Sequence, residues 1–226
     1  MTDFEWHEEA RKQWDDRAGF WNKNSEEMWT SGSRKTIIPF LEPYIQKGSF
    51  IIDAGCGDGL GSYLLAKKGY RVTGVDLSNE MIEKAKARTD IDSLSFVQGD
   101  LTNLPLEEKS ADAVMAINSL EWTEKPIDAL NELKRIVKEK GHACIGVLGP
   151  TAHPRVNSYR RLYGEEVIMN TMMPWEFEQL ATENGWAVID GHGVYKRGVN
   201  EKMLGSLPKE LQQSLTFMWV FMLQKK

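Results

Sequence analysis

Asp53, Gly55, Gly57 and Gly59 stand at alternate positions at the end of an apolar run, Ile51-Ile52-Asp53-Ala54-Gly55-Cys56-Gly57-Asp58-Gly59. Glycine lacks a Cβ and tolerates positive φ, so such a turn lets backbone approach a ligand closely. Its spacing argues against a phosphate grip. A dinucleotide fingerprint needs G-x-G-x-x-G, and the sixth position counted from Gly55 is Leu60. A P-loop needs G-K-[ST], whereas Gly59 is followed by Leu60 and Gly61. An acid two residues before the first glycine would repel a pyrophosphate. It suits a ligand carrying an ammonium group or a sugar hydroxyl. Two further acids follow apolar runs downstream, Asp76 in Val72-Thr73-Gly74-Val75-Asp76 and Asp100 in Phe96-Val97-Gln98-Gly99-Asp100-Leu101.

These residues need a scaffold, and the hydrophobic pattern supplies one. Strand-like runs lie at about 50–54, 71–76, 94–98, 112–117, 142–148, 186–190 and 215–223, with helical patterns at about 60–68, 79–89, 126–139 and 174–184. That alternation is the mark of a parallel sheet built from βαβ units. Ser78 is the expected N-cap of the second of these helices. Pro126 fits the first turn of the third, and Lys140-Gly141 reads as its stop. Two segments fall outside the alternation. In residues 1–46, Trp6, Ala10, Trp14, Ala18 (or Arg17) and Trp21 recur at helical spacing, with Met28 beyond. Residues 149–173 are rich in Pro, His, Arg, Tyr and Met. Segments joining strand C-termini to helices lie where open α/β sheets bind ligands, so both are candidate lids over a substrate.

Bulk composition narrows the class. The chain has 226 residues, 41% hydrophobic and 27% charged, enough to bury one sizeable core. Its net charge is −5, with Lys and Arg scattered, which weighs against a nucleic-acid surface. Cys56 and Cys144 suggest neither a disulfide framework nor a zinc site, and His7, His142, His153 and His192 are dispersed, so no metal is expected. The sequence begins Met-Thr-Asp-Phe-Glu-Trp, without the basic region and apolar core of a secretory signal. The longest apolar run, Leu215 to Leu223, is too short to span a bilayer and reads as a buried strand. The expectation is a soluble cytoplasmic protein with no membrane partner.

The D-x-G-x-G-x-G turn closely resembles the first motif of the class I S-adenosylmethionine-dependent methyltransferases, and the later motifs are similar to their small-molecule, ubiquinone/menaquinone-type branch. The resemblance covers roughly residues 10–150 motif by motif and the remainder by strand count. It implies an α/β Rossmann-like fold: a seven-stranded, mostly parallel sheet with the last strand antiparallel, helices on both faces and an N-terminal helical lid. It also implies one domain over 1–226, with 1–46 as cap and 149–173 as substrate-lid insertion. The cofactor implied is S-adenosyl-L-methionine. Asp53, Gly55, Cys56, Gly57 and Gly59 would form its cradle. Asp76 would accept from both ribose hydroxyls, followed by Leu77, with Met81 against the adenine face. Asp100 would accept from the adenine amino group while Leu101 N–H donates to the ring, Gly99 preceding them. Asn118, in Asn118-Ser119-Leu120-Glu121-Trp122, lies in the loop that holds the methionine ammonium. The segment Trp14-Asp15-Asp16-Arg17-Ala18 matches one that caps the cofactor, Trp14 or Trp21 offers an aromatic face to the sulfonium, and Arg34 is a partner for the cofactor carboxylate or a solvated helix-start charge.

Many members of that branch carry a His where Glu121-Trp122 stands, so no general base is carried over. Glu121 is read as a base, a substrate ligand or a solvated loop carboxylate. His153, Tyr159 and Tyr163 are further base candidates. Arg155, Arg160 and Arg161 are candidate partners for an anionic substrate, and His192 and Tyr195 sit in another predicted loop. The function expected is methyl transfer to a small molecule by in-line displacement. A cofactor-binding module without catalysis is the alternative, and a nicotinamide oxidoreductase the third reading.

Overall fold

The computed structural model describes residues 4–88 and 91–226. Residues 1–3 of the expected cap and residue 89, the expected end of a helix, lie outside the described residues. A long helix α1 (Trp6–Thr30) and a short α2 (Ile37–Leu41) precede the sheet. Then follow β1 (Phe50–Ala54), α3 (Leu60–Lys67), β2 (Arg71–Asp76), α4 (Asn79–Lys86), β3 (Leu94–Gln98), β4 (Ala111–Ile117), α5 (Pro126–Ile136) and β5 (Val137–Leu148). The chain closes with α6 (Pro174–Glu183), β6 (Trp186–Tyr195), the short α7 (Glu201–Leu204) and α8 (Lys209–Ser214), and β7 (Thr216–Lys225). The sheet runs β3-β2-β1-β4-β5-β7-β6, with β7 antiparallel to both neighbours and the pairs from β3 to β5 parallel. This is the expected fold class.

The central strands are apolar runs rather than alternating ones because both their faces are covered. Ile52, Val114 and Ile145 pack with Leu130, Leu133 and Phe177 from α5 and α6. Their neighbours Ile51, Met115 and Cys144 pack on the opposite side with Ile37, Leu41, Leu65 and Ile82 from α2, α3 and α4. Strand order reverses between β1 and β4, so the C-terminal ends of β1, β2 and β4 open onto one crevice.

Several boundaries differ from the sequence expectation, α4 ending at Lys86 and β7 running to Lys225 among them, and three differences change how residues are read. Helix α5 stops at Ile136, not 139, because Val137 is already extended and pairs with Ala111. Residues 138–141 form a bulge in β5, where Lys140 takes φ +60° and a Cβ on Gly141 would lie 2.8 Å from the Asp112 carbonyl oxygen. The supposed stop signal is therefore a turn inside the strand. Strand β6 continues to Tyr195, so His192 and Tyr195, expected in a loop, are ladder residues paired with Val220 and Thr216. Among the described residues, no helix is long and apolar enough to cross a membrane.

Candidate functional site

The glycine turn leaves β1 and enters α3 with Gly55, Gly57 and Gly59 all at positive φ. A Cβ on Gly55 would sit 2.4 Å from the Ser119 Cβ, and one on Gly59 2.5 Å from the Phe96 ring. Beneath the turn lies Asp53, 3% exposed, its carboxylate accepting from the Ser62 hydroxyl at 2.6 Å. Burial pushes its pKa up to about 7, against the pull of Ser62 and the Arg34 charge. Asp53 is thus a foundation of the turn and lines neither of the clefts described below. Cys56 and Gly59 are buried as well, and neither they nor the half-buried Gly99 line either cleft. Burial raises the Cys56 thiol, as expected of an unreactive packed side chain.

Above the turn opens a pocket. Its floor is made by Gly55, Gly57, Asp76, Leu77, Met81, Asp100 and Leu101, and its far wall by Asn118, Ser119, Trp122 and Thr123. The roof is α1, through His7, Ala10, Trp14 and Trp21, and Arg34 closes one end. Asp76 accepts from the Gly57 N–H (2.8 Å) and the Ser78 N–H (3.0 Å), one on each oxygen. A second lone pair remains on each, the requirement for receiving a diol. Burial raises the Asp76 pKa to about 6 despite these two bonds. One oxygen of Asp100 accepts from the Thr102 N–H (2.7 Å) and hydroxyl (2.8 Å), and the other meets His7 Nδ1 at 2.5 Å.

Side chains fasten the roof. Asp15 accepts from the Ser78 hydroxyl (2.5 Å), which in turn caps the Met81 N–H (3.1 Å). Asp58, 1% exposed, gathers Ser25 (2.5 Å), Asn22 (2.9 Å) and Arg88 (2.8 Å). The buried stripe of α1 is Ala10, Ala18, Ser25 and Trp29. Trp14 and Trp21 are only half-buried because they face the crevice, stacked edge to face, and Trp14 meets Trp122 in the same way. Arg34 is 8% exposed and lies over the Trp21 and Trp29 rings, at 4.7 and 5.5 Å from their centres. Its guanidinium has no hydrogen-bond or ion-pair partner among the described residues, and burial lowers its pKa to about 10.

Next to this pocket is a second cleft, called the outer chamber below. The two share Trp14, Trp21, Arg34, Asn118 and Trp122. Asn118 holds φ +54°, a conformation that asparagine tolerates better than most residues, and its carbonyl accepts from Trp122 Nε1 at 2.9 Å. The 149–173 segment contributes His153, Pro154, Val156 and Asn157 to the outer wall.

Other candidates are placed elsewhere. Glu121 is no solvated carboxylate: it is 0% exposed, accepts the Leu148 N–H at 2.6 Å, and its other oxygen has no partner among the described residues. Burial raises its pKa. Tyr159 is exposed and pairs with Tyr163, lining neither cleft. Arg155 clasps the carbonyls of Leu148, Gly149, Thr171 and Met172, which ties down both ends of the segment. Arg160 pairs with Glu165, and Arg161 bonds Ser158. His192 bonds Thr36. The sequence reading counts His7 only as a dispersed histidine and passes over Ser119. Three and seven residues separate His7 from Ala10 and Trp14, which places it on their helix face. Ser119, bonded to the Ala54 carbonyl at 2.9 Å and abutting Gly55, carried no such signal.

Comparison with known proteins agrees with the fold. Residues 52–145 match the methyltransferase-domain family. A demethylmenaquinone methyltransferase of Paenarthrobacter aurescens is 34% identical over 133 residues, 58% of this chain and 49% of that protein. A malonyl-[acyl-carrier protein] O-methyltransferase of Pectobacterium atrosepticum is 29% identical over 150 residues, 66% of this chain and 57% of that one. The chain spans about half the length of the curated relatives it matches. Among solved structures, a chain from the complex between the Haloferax volcanii Trm112 methyltransferase activator and a methyltransferase superposes with TM-score 0.74 and 22% identity, covering 96% of each chain. A SAM-dependent methyltransferase from Methanosarcina mazei gives 0.64 and 21%, covering 83% of this chain and 97% of that one. These two likenesses speak to the fold. Together with the family match over residues 52–145, they show a methyltransferase domain in a chain with the fold of the class I S-adenosylmethionine-dependent methyltransferases.

Proposed function

We propose that the protein moves the methyl group of S-adenosylmethionine to a small-molecule acceptor by in-line displacement. One observation carries this reading: the pocket over the glycine turn and the outer chamber share a wall of Trp14, Trp21, Arg34, Asn118 and Trp122. In this reading Asp76 takes the ribose hydroxyls and Asp100 the adenine amino group, with Met81 and Leu101 beside the base. Arg34 takes the methionine carboxylate, which supplies the partner its buried guanidinium lacks. The sulfonium then points at the shared wall, where Trp14 and Trp21 offer their faces to its charge. Displacement breaks the S–CH3 bond, sends the pair to sulfur and leaves a neutral thioether. Alignment of nucleophile, methyl and sulfur can supply on the order of 7–11 kcal/mol of the barrier reduction. Helix α1 acts as the roof of a single domain and 149–173 as its acceptor-side wall. A binding module without catalysis would be closed above the methyl group, so the open chamber supports transfer.

Thermal denaturation with S-adenosylmethionine or S-adenosylhomocysteine tests the reading. Ligand at 100-fold its Kd should stabilise by about 2.7 kcal/mol, which for a chain of this size moves Tm by roughly 5–10 °C. No shift with either ligand removes the proposal.

A further inference from the structure

The wall of the outer chamber constrains the chemistry of the acceptor. Most of it is apolar, with Phe20, Met28, Leu148, Val156 and Phe217 leading away from the shared tryptophans. Phe20 and Val156 at its mouth are 74% and 58% exposed. Its charged members are cationic: Arg34, and Arg17, whose guanidinium stands 5.4 Å from the Trp14 ring centre and 6.0 Å from that of Trp122. Asn157 and Gln13 hold one nitrogen of Arg17 at 3.1 and 3.2 Å, leaving its remaining N–H groups free of partners among the described residues. None of the residues lining the chamber is acidic, in a chain of net charge −5. With Arg34 committed to the cofactor carboxylate, an ammonium-bearing acceptor would meet the Arg17 cation and no protein carboxylate.

A base is missing too. Glu121 and Asp53 are sealed in the interior, and Tyr159 lines neither cleft. His153 is on the chamber wall, but it is exposed and no carboxylate among the described residues bonds to it and orients it. A hydroxyl or ammonium nucleophile would have to lose a proton with no positioned group to take it. An acceptor already ionised at neutral pH needs no such group.

We propose that the acceptor is an apolar carboxylic acid, which the protein converts to its methyl ester. Arg17 holds one carboxylate oxygen and the other attacks, while the hydrocarbon body lies along Phe20, Val156 and Phe217. The new bond is O–CH3, the broken bond is S–CH3, and its electron pair passes to sulfur. Carboxylate anion and sulfonium cation become a neutral ester and a neutral thioether, with no proton transferred. The inference rests on the methyltransferase reading above.

The test offers the full chain, with S-adenosylmethionine, dodecanoate and 4-phenylbutanoate beside dodecylamine and 4-phenylbutylamine, and follows methylated product and S-adenosylhomocysteine by mass spectrometry. At least one acid should be methylated tenfold or more faster than its matching amine, with kcat flat from pH 7 to 9. Arg17→Gln should raise KM for that acid at least tenfold while kcat stays within about threefold, with the S-adenosylhomocysteine thermal shift intact as evidence of folding. Preferential methylation of the amines overturns the assignment. So does failure to methylate either acid while the thermal shift is present, or a rate that climbs with pH above 7. Absence of the thermal shift itself strikes the methyltransferase reading instead.

Discussion

The floor and the roof of the crevice are built on different principles. The floor is backbone: the Gly55 and Cys56 N–H groups both donate to the Val75 carbonyl, the Gly57 N–H to Asp76, and the strands beneath are paired along their length. The roof is a single helix joined to the rest by side chains, chiefly Asp15 on Ser78, His7 on Asp100, the Asp58 cluster, Arg17 on Asn157, and Trp6 on the Trp122 carbonyl. A floor of that kind keeps its shape with or without a ligand. A roof held by these polar contacts and the narrow stripe of Ala10, Ala18, Ser25 and Trp29 lifts more readily than the sheet opens, which a buried cofactor needs in order to enter and leave.

That contrast breaks most severely at Gly59. With φ +77° and a Cβ that would strike both the Phe96 ring and the Ala85 Cβ, Gly59→Val should cost roughly 3 kcal/mol or more. It should also abolish cofactor binding, read by urea denaturation and calorimetry. Asp76→Asn, by contrast, keeps the volume but turns one of the two accepting oxygens into an NH2 that faces the Gly57 or Ser78 N–H; losing charge-assisted bonds worth about 1.5–3 kcal/mol should weaken S-adenosylhomocysteine by 10- to 100-fold, with a smaller fall in the urea midpoint than Gly59→Val gives. A weakening below threefold would mean Asp76 does not hold the ribose.

Two pH effects should run in opposite directions. Protonation of Asp76 removes the acceptor, so affinity should fall as pH drops through about 6, seen by calorimetry between pH 5 and 8. The raised pKa values of Asp53 and Asp76 mean the folded chain binds protons more tightly than the unfolded one. Their stabilising contribution is complete below the ordinary carboxylate range and is lost as pH rises through about 6 and 7. Asp53→Asn should therefore flatten the decline in unfolding free energy between pH 5 and 8, and an unchanged slope would exclude Asp53 as its source.

The smallest effect belongs to the roof. Asp15→Ala frees the Ser78 hydroxyl and should cost about 1 kcal/mol. It should also speed hydrogen exchange in α1 while that of β1 and β4 stays unchanged. Equal acceleration in the strands would contradict a roof that moves independently.

The same division decides what could be read in advance. Strands β1 to β4 and the carboxylates at their ends were legible because continuous apolar runs, glycine spacing and terminal acids are local signals. Ten of the residues named for the cofactor, from Trp21 to Asn118, do line the pocket. The glycines split by face: Gly55 and Gly57 reach it while Gly59 turns toward Phe96, a distinction that pattern alone does not make. The solvated alternative for Glu121 fails because its carboxylate meets the Leu148 N–H and its carbonyl the Asn170 N–H, 27 and 49 positions away and out of reach of any local pattern. His7 and Ser119 went unremarked for a similar reason: their meaning comes from Asp100 and Gly55, and no local spacing joins either pair.

Strand β7 sits between β5 and β6 although it comes after both in the chain. During synthesis, the row of amide and carbonyl groups along residues 142–148 therefore waits unpaired on one side until residues 216–225 have left the ribosome. Such an open edge invites pairing with a neighbouring nascent chain. Late closure by distant residues also makes for slow folding. The production of this protein in soluble form should accordingly depend on chaperone supply and growth temperature more than its finished, well-covered sheet would suggest.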